Sequence, residues 1–419
     1  MVCFSRLTCT ADRQPPVKLI VVCASLDLTQ PFSATPAWWQ LLKALYEIGV
    51  DVIATPYQGP AIETLWWRAA PNPAQWQGDT FKAMRDALRK AVGAAPPVQM
   101  TGTPDVNAAA TGSESASDKL IRRAVQTFIT PLWARHLDSL LTRNPDADAV
   151  LILTAPLNHL VGVAAEIQRK HHKPVFYYDG DVPASLPSMA GFASGFRIYP
   201  GADPGEYTAI LSNSKGGEAA LKALGARAVH TVYYGADPDV FSPVAVAAQD
   251  IDVMFYGHGR EYRAQWVQDM IATPAAALPA ARFAVRGTHL GDLGRTELLP
   301  YLSFSKLREY ACRSKINLCI TRRAHASVYA SSSSRPFELS AMGCCIVANP
   351  YEGIEEWFEP GKELFVVQSS EEAVDRYRYL LAHDGERAAV GAAARARVLK
   401  EHTFQHRARQ LVQIIAGYR

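Results

Sequence analysis

Nowhere does this chain gather the ~18 consecutive apolar residues that a membrane-spanning helix needs. It also lacks an excess of charge: 43 Lys and Arg stand against 40 Asp and Glu, a net of +3. Such a balance gives no overall field to draw nucleic acid or an anionic membrane, although it leaves room for a local basic cleft. Cysteine is sparse, and its pattern is unpaired. Cys3, Cys9, Cys23, Cys312, Cys319, Cys344 and Cys345 are odd in number, and no CxxC occurs. That argues against a disulfide framework or a thiolate zinc site and for buried free thiols in a reducing compartment. Cys344 and Cys345 adjoin on an expected strand, point to opposite faces and make no redox pair. His171–His172 close a helix and have no ligand spacing for zinc. Met1–Pro16 is mixed and polar, without the apolar core of an export signal. The protein is expected to be cytoplasmic, with no transmembrane segment, and peripheral to a membrane only where its substrate is a lipid.

What is present is an alternation of short apolar strands with amphipathic helices. At this length two cores are expected, since domains usually hold ~100–200 residues. Val17–Ala24 is apolar and β-branched, a buried strand. Thr35–Pro36 opens a helix to about Ile48, with Trp38, Leu41, Leu42 and Leu45 on one face. Gly49 stops it, and Val50–Ala54 is the next strand. Strand, helix and strand with short links make a βαβ unit, hence a parallel sheet. Glu63–Val92 reads as amphipathic helix in pieces, broken near Pro71 and Pro73. Residues 94–118, rich in Ala, Gly, Ser, Thr and Pro, read as a flexible exposed loop. Helices are expected at Lys119–Thr142, Leu160–His171 and Lys215–Leu224, and strands at Ala149–Thr154, Pro174–Tyr178, Tyr207–Ser212 and Ala228–Tyr233. After the turn-rich Gly235–Pro243 the same order repeats. Strands are expected at Asp252–Tyr256, Arg282–Val285 and Ile316–Thr321, and helices at Tyr262–Thr273 and Phe304–Ala311. In the last helix Phe404, Ala408, Leu411, Val412 and Ile415 share a face. The fold class is α/β: two doubly wound halves facing a cleft at the carboxyl ends of their sheets, where such sheets bind ligands.

The candidates are therefore residues that follow strands. Gly257–His258–Gly259–Arg260 either lets a phosphate approach the backbone or is an ordinary strand-to-helix turn. It is no nicotinamide fingerprint: the third glycine position is Tyr262, and no acidic residue follows at the ribose-binding spacing. Arg286 and the pair Arg322–Arg323 place cations at the cleft edge. In the first half Asp181 and His159 follow strands and are candidates to take a proton from a hydroxyl; a turn aspartate and a surface histidine are the plainer readings.

Ser331–Val367 is the densest stretch. A serine run with Ser333 and Ser334 leads into a helix that opens with Arg335 and Pro336. There the first N–H groups lack partners and the dipole is positive, so an anion is favoured. A guanidinium grips phosphate through two bonds, and an ionised Glu338 is acceptor-only, which suits ribose hydroxyls. Taken singly, each has a structural alternative: Ser334 as an N-cap, Pro336 in a first turn, an acid near the positive helix end. The helix stops at Gly343. A strand (Cys344–Ala348), a loop with Gly353 and Glu355, and a second strand (Leu364–Val367) follow.

The run RPFELSAMGCCIVANPYEGIEEWFEPGKELFVV, with YLLAHDGERAAVGAAARARVLKEHTFQHRARQL after a short gap, resembles the C-terminal domain of CgeB-like glycosyltransferases. These are relatives of the family 4 retaining enzymes with the GT-B fold. The resemblance implies an acceptor-side Rossmann-like domain over 1–243, a nucleotide-sugar-binding domain over 244–400, and a C-terminal helix in 401–419 that packs back on the first. Gly235–Pro243 matches the family's GxDPxxFxP hinge. By the same resemblance the loop with Gly257, Gly259 and Arg260 contacts the diphosphate of a UDP- or GDP-sugar, Glu338 matches the second glutamate of the family's E-x7-E, and Gly353 and Glu355 lie in the loop that lines the sugar pocket. By their chemistry Arg286, Ser333, Ser334 and Arg335 are further candidates for the diphosphate and Glu338 for the ribose. No metal is required, and the DxD spelled by Asp179–Gly180–Asp181 belongs to a different fold. Transfer is expected to retain configuration, on a hexosyltransferase pattern; inversion would call on Asp181 or His159 as base. The acceptor is a glycan, lipid, small molecule, protein or modified DNA. The sequence departs from the family's E-x7-E at Ala330, where the first glutamate would stand. A nucleotide-sugar epimerase needing no acceptor, and a silent carbohydrate- or partner-binding protein, are the rival readings.

Overall fold

The computed structural model of the chain describes residues 17–29, 35–77, 80, 116–189, 198–259, 263–300 and 304–419. Lys18–Ser25 (β1) is almost wholly apolar, and Leu19 through Cys23 are fully buried. A strand buried on both faces needs helices on both sides of a parallel sheet. That sheet continues with Asp51–Gln58 (β2), Arg68–Ala69 (β3), Ala149–Leu153 (β4), Val175–Asp179 (β5), Ala209–Ser212 (β6) and Val229–Thr231 (β7). Its order is β3-β2-β1-β4-β5-β6-β7, parallel throughout. The second sheet holds Ile251–His258 (β8), Phe283–Thr288 (β9), Glu297–Leu298 (β10), Ser314–Cys319 (β11), Ile346–Ala348 (β12) and Phe365–Val366 (β13), in the order β10-β9-β8-β11-β12-β13. Chain direction around each sheet reverses once, between β1 and β4 and between β8 and β11. Such switch points open a crevice at the strand ends, and ligands of doubly wound sheets sit there.

Each half has an apolar cluster of its own, and a third cluster runs through both. A single cluster of buried apolar side chains runs from Leu19, Trp38 and Leu151 through Phe241 to Ile251, Phe337, Trp357 and Leu411. The helix Phe404–Ala416 carries that core back to the first half. Gln410 donates to the Thr231 carbonyl at 2.9 Å, and His230 meets the Tyr418 hydroxyl at 2.8 Å. Gly235 permits the crossing, because a Cβ there would lie 2.7 Å from the His402 carbonyl oxygen. Lys43 ties the first helix, Thr35–Glu47, to the linker through Asp237 and Asp239, both at 2.8 Å.

Several expected helices differ, among them Lys215–Leu224, which is helical only over Glu218–Ala223. Glu63–Ala69 is not helical: it bends at Leu65–Trp66 and ends in the edge strand β3. Thr64 Oγ1 accepts the Trp66 and Trp67 N–H groups at 3.0 and 3.3 Å, and Glu63 accepts from Ala69 N–H at 2.6 Å. Local bonds of this kind hold the backbone out of a helix. Leu160–Gly162 is a turn, and the helix begins only at Val163, after Gly162 at φ +81°. The helix expected over Tyr262–Thr273 becomes Ala264–Val267, a π-type turn at Gln268–Ala272 and a helix at Thr273–Ala277. Pro274 lacks an N–H and its ring crowds the carbonyl four residues back, so the widened turn absorbs the mismatch. Of the loop expected at 94–118, residues 94–115 lie outside the described residues, and 116–118 begin the helix Ala116–Phe128.

Candidate active site

The helix Ser334–Ala341 rises where β8 and β11 part. Ser333 at its N-cap is extended (φ −126°, ψ 159°) and makes no side-chain cap bond, so the first-turn N–H groups gain no local acceptor from it. Arg335 stacks over the rings of Phe255 and Tyr256, with centroids at 5.3 and 4.8 Å, and reaches the Ile320 carbonyl at 3.4 Å. Its Nε is buried with no partner among the described residues. Gly257 makes room for this guanidinium: a Cβ there would lie 2.9 Å from Arg335 Nη2. One turn deeper, Glu338 is only 8% exposed and takes a long bond of 3.4 Å from the Tyr256 hydroxyl. Burial raises its carboxyl above the usual glutamate range, against the pull of Arg335 and of hydroxyl bonds from Ser334 and Tyr256.

The other glycines have packing tasks. A Cβ on Gly259 would lie 1.9 Å from the His289 carbonyl oxygen, and one on Gly287 would lie 1.7 Å from that of Gly257. They let the ends of β8 and β9 close on each other. Arg286, half-buried, sits opposite Tyr256 in that register. Arg260 lies outside the described residues.

The serine run divides in two. Ser331 and Ser332 are fully buried and join the halves instead of facing the cleft. Ser332 N–H donates to the Asn213 carbonyl at 2.8 Å, Asn213 Nδ2 donates back at 2.8 Å, and Ser331 Oγ meets Ser214 Oγ at 2.6 Å. Ser333 and Ser334 stay half-buried at the helix mouth. Ala330 is fully buried at φ +47°, its N–H bonded to the Glu352 carbonyl at 2.9 Å. Gly353 fills the space beside it, with a hypothetical Cβ only 2.4 Å from Ala330 N. Glu355 is exposed. Its neighbour Glu356 takes bonds from Lys215 at 2.9 Å and the Tyr329 hydroxyl at 2.6 Å.

Across the cleft, Asp181 follows β5 and forms an ion pair with Arg322, which follows β11. His325 Nε2 lies 3.2 Å from Arg322 Nη2 and 4.0 Å from Asp181 Oδ1. A guanidinium only donates, so this contact is a hydrogen bond in the tautomer whose Nε2 is bare. Burial, with Arg322 and Arg263 nearby, keeps this imidazole neutral. Sequence reasoning passed over His325; its place three residues after Arg322, on the short helix Arg323–Ala326 that follows β11, was the available signal. Asp179, by contrast, is spent on the turn. Its Oδ2 accepts the Ser185 and Tyr199 hydroxyls, both at 2.6 Å, and its Oδ1 the Asp181 N–H at 3.0 Å. Burial pushes it up to about 6, even with those bonds opposing. His159 is half-buried after β4, shares a 2.7 Å hydrogen bond with the Tyr57 hydroxyl, and burial pushes it down to about 4.

Asp179→Ala should strand two buried hydroxyls and one N–H, at a cost of about 2–3 kcal/mol in urea unfolding. A folded-state value above the unfolded one means the carboxylate form is penalised. The parent should therefore lose stability as pH rises from the usual aspartate range to about 6, then level off, and the variant should lack this slope. An identical slope in both would contradict the assignment.

Residues 260–413 match a family model described as glycosyl transferase-like. Among solved structures, sucrose-phosphate synthase from Thermosynechococcus elongatus is similar over 96% of this chain and 98% of its own, at 13% identity and a TM-score of 0.62. Anabaena HepE, solved in complex with UDP-glucose, is similar over 95% and 99%, at 12% identity and a TM-score of 0.57. A trehalose-6-phosphate structure from E. coli, bound with UDP-2-fluoro glucose, is similar over 95% and 98%, at 12% identity and a TM-score of 0.60. No curated protein matches the sequence. At these identities the likeness is one of fold, and the fold is GT-B.

Proposed function

We propose that this chain is a glycosyltransferase of the CgeB-like kind, moving a sugar from a UDP- or GDP-sugar to an acceptor hydroxyl with retention and without a metal. The half carrying β8–β13 would hold the donor, and the half carrying β1–β7 the acceptor. The observation that carries the reading is Glu338, a carboxylate buried one turn inside an uncapped helix mouth at the β8/β11 switch point. Ser333, Ser334 and the first N–H groups favour a diphosphate beside Arg335, and Glu338 then meets the ribose hydroxyls. Similar structures were solved in complex with UDP and with UDP-glucose, in keeping with this. The same donors would stabilise charge on the departing phosphate. Asp181 is engaged by Arg322, which supports a mechanism whose base is a phosphate oxygen of the leaving group on the same face. One observation favours the second reading, a sugar-binding protein without transfer: Ala330 has no carboxylate, and Gly353 fills the space beside it.

Calorimetric titration with a panel of UDP- and GDP-sugars tests the donor site; no binding of any of them, or of UDP and GDP, would overturn it. NMR of the incubation then separates transfer from epimerisation and reads the product's anomeric configuration. Since Glu338 serves as a carboxylate and burial raises it, donor affinity should rise with pH through a midpoint above the usual glutamate range. Glu338→Gln should remove that step and leave only the titration of the nucleotide itself.

A further inference from the structure

Helix Ala116–Phe128 presents two parallel rows to solvent. Leu120, Ala124 and Phe128, at i, i+4 and i+8, form an apolar row, and Leu120 and Phe128 are each 70% exposed. Lys119 and Arg123, also exposed, form a basic row beside it. The opposite face is fastened: Arg122 donates to the Pro200 carbonyl at 3.1 Å and Gln126 to the Asn158 carbonyl at 2.9 Å. Asn158 and His159 follow β4, so the helix lies along the cleft-side rim of the first half.

We propose that this outer face docks on an anionic lipid surface. Leu120 and Phe128 would enter the headgroup boundary while Lys119 and Arg123 meet lipid phosphates. Two of the helix's basic residues, Lys119 and Arg123, lie on this face, while Arg122 is held on the opposite one, so the face itself is basic despite the near-neutral chain. A nucleic acid would satisfy the basic row but leave the apolar row in water. A second copy packed antiparallel across a two-fold axis would bring the basic row against itself. Docking sets the rim next to the bilayer; that this rim is the acceptor side rests on the transferase reading.

The test is flotation of the full chain with vesicles of phosphatidylcholine alone, or of phosphatidylcholine mixed with phosphatidylglycerol. The chain should float only with the anionic vesicles and be released by salt. Leu120→Ser with Phe128→Ser, and separately Lys119→Gln with Arg123→Gln, should each weaken flotation about tenfold or more. Thermal midpoint and UDP-sugar binding should match the parent, as these side chains are exposed. Equal flotation with both vesicle types, no flotation, or variants floating like the parent would overturn the proposal. So would a dimer in light scattering that the Leu120/Phe128 variant dissolves. Failure of the parent to bind any nucleotide sugar would sink the transferase reading alone and leave the flotation result standing.

Discussion

Glu338→Ala is expected to lower kcat/KM for the nucleotide sugar by about a hundredfold. A carboxylate accepting two ribose hydroxyls makes two charge-assisted bonds, each worth about 1.5–3 kcal/mol, and part of that is regained when water enters the vacated space. A net loss near 3 kcal/mol follows, which is the stated factor. The side chain is buried and its charged form is penalised there, so stability should change little or rise. Those opposite signs separate a ligand-binding group from a packing one. Glu338→Gln should fall between, since one oxygen still accepts and the amide cannot. An alanine variant with unchanged turnover would remove Glu338 from the site, and with it the observation on which the donor reading rests.

Gly287→Ala should be the most damaging added methyl among the described glycines. Its Cβ would lie 1.7 Å from the Gly257 carbonyl oxygen, a backbone atom of the adjoining central strand. No rotamer relieves that contact, so β8 and β9 must separate at their ends. A loss of roughly 3–4 kcal/mol in urea unfolding is expected, at the upper end of what overpacking costs. Function should suffer beyond stability, because Gly257 lies under Arg335. Donor affinity should therefore fall even at temperatures where the variant is fully folded. A variant as stable as the parent would mean the two strand ends stand further apart.

Much of this was legible in sequence, and what was not has a common cause. The apolar runs at β1, β4 and β5 announce buried parallel strands, and the capping and stop signals of Ser334–Ala341 place the helix within a residue or two. Periodicity reports local structure, so it is silent wherever distant segments meet. Ser331 and Ser332 look like the rest of the serine run, yet pair with Asn213 and Ser214, which only the folded chain brings near. Gly259 and Gly287 show the same thing: a glycine after a strand invites a phosphate reading, while its closest neighbour here is another strand's carbonyl. Asp179 and Asp181 are identical in type and two apart. One is consumed by Tyr199 and Ser185, and the other crosses to Arg322. Nothing in their spacing separates them.

The shared core has a thermodynamic consequence. Two sheets with separate cores would melt as two units, each with its own enthalpy. Here the apolar cluster that begins at Leu19 does not end at the linker. It continues through Phe241 into Phe337 and Trp357 and returns along Phe404, Leu411 and Ile415. Each sheet also has a cluster of its own on one face, but neither can lose the face on the shared cluster without stripping part of the other's packing. Heating should therefore give one calorimetric peak, with van't Hoff and measured enthalpies in agreement, although the chain is long enough for two domains. Two resolved peaks would show that the halves hold their order independently.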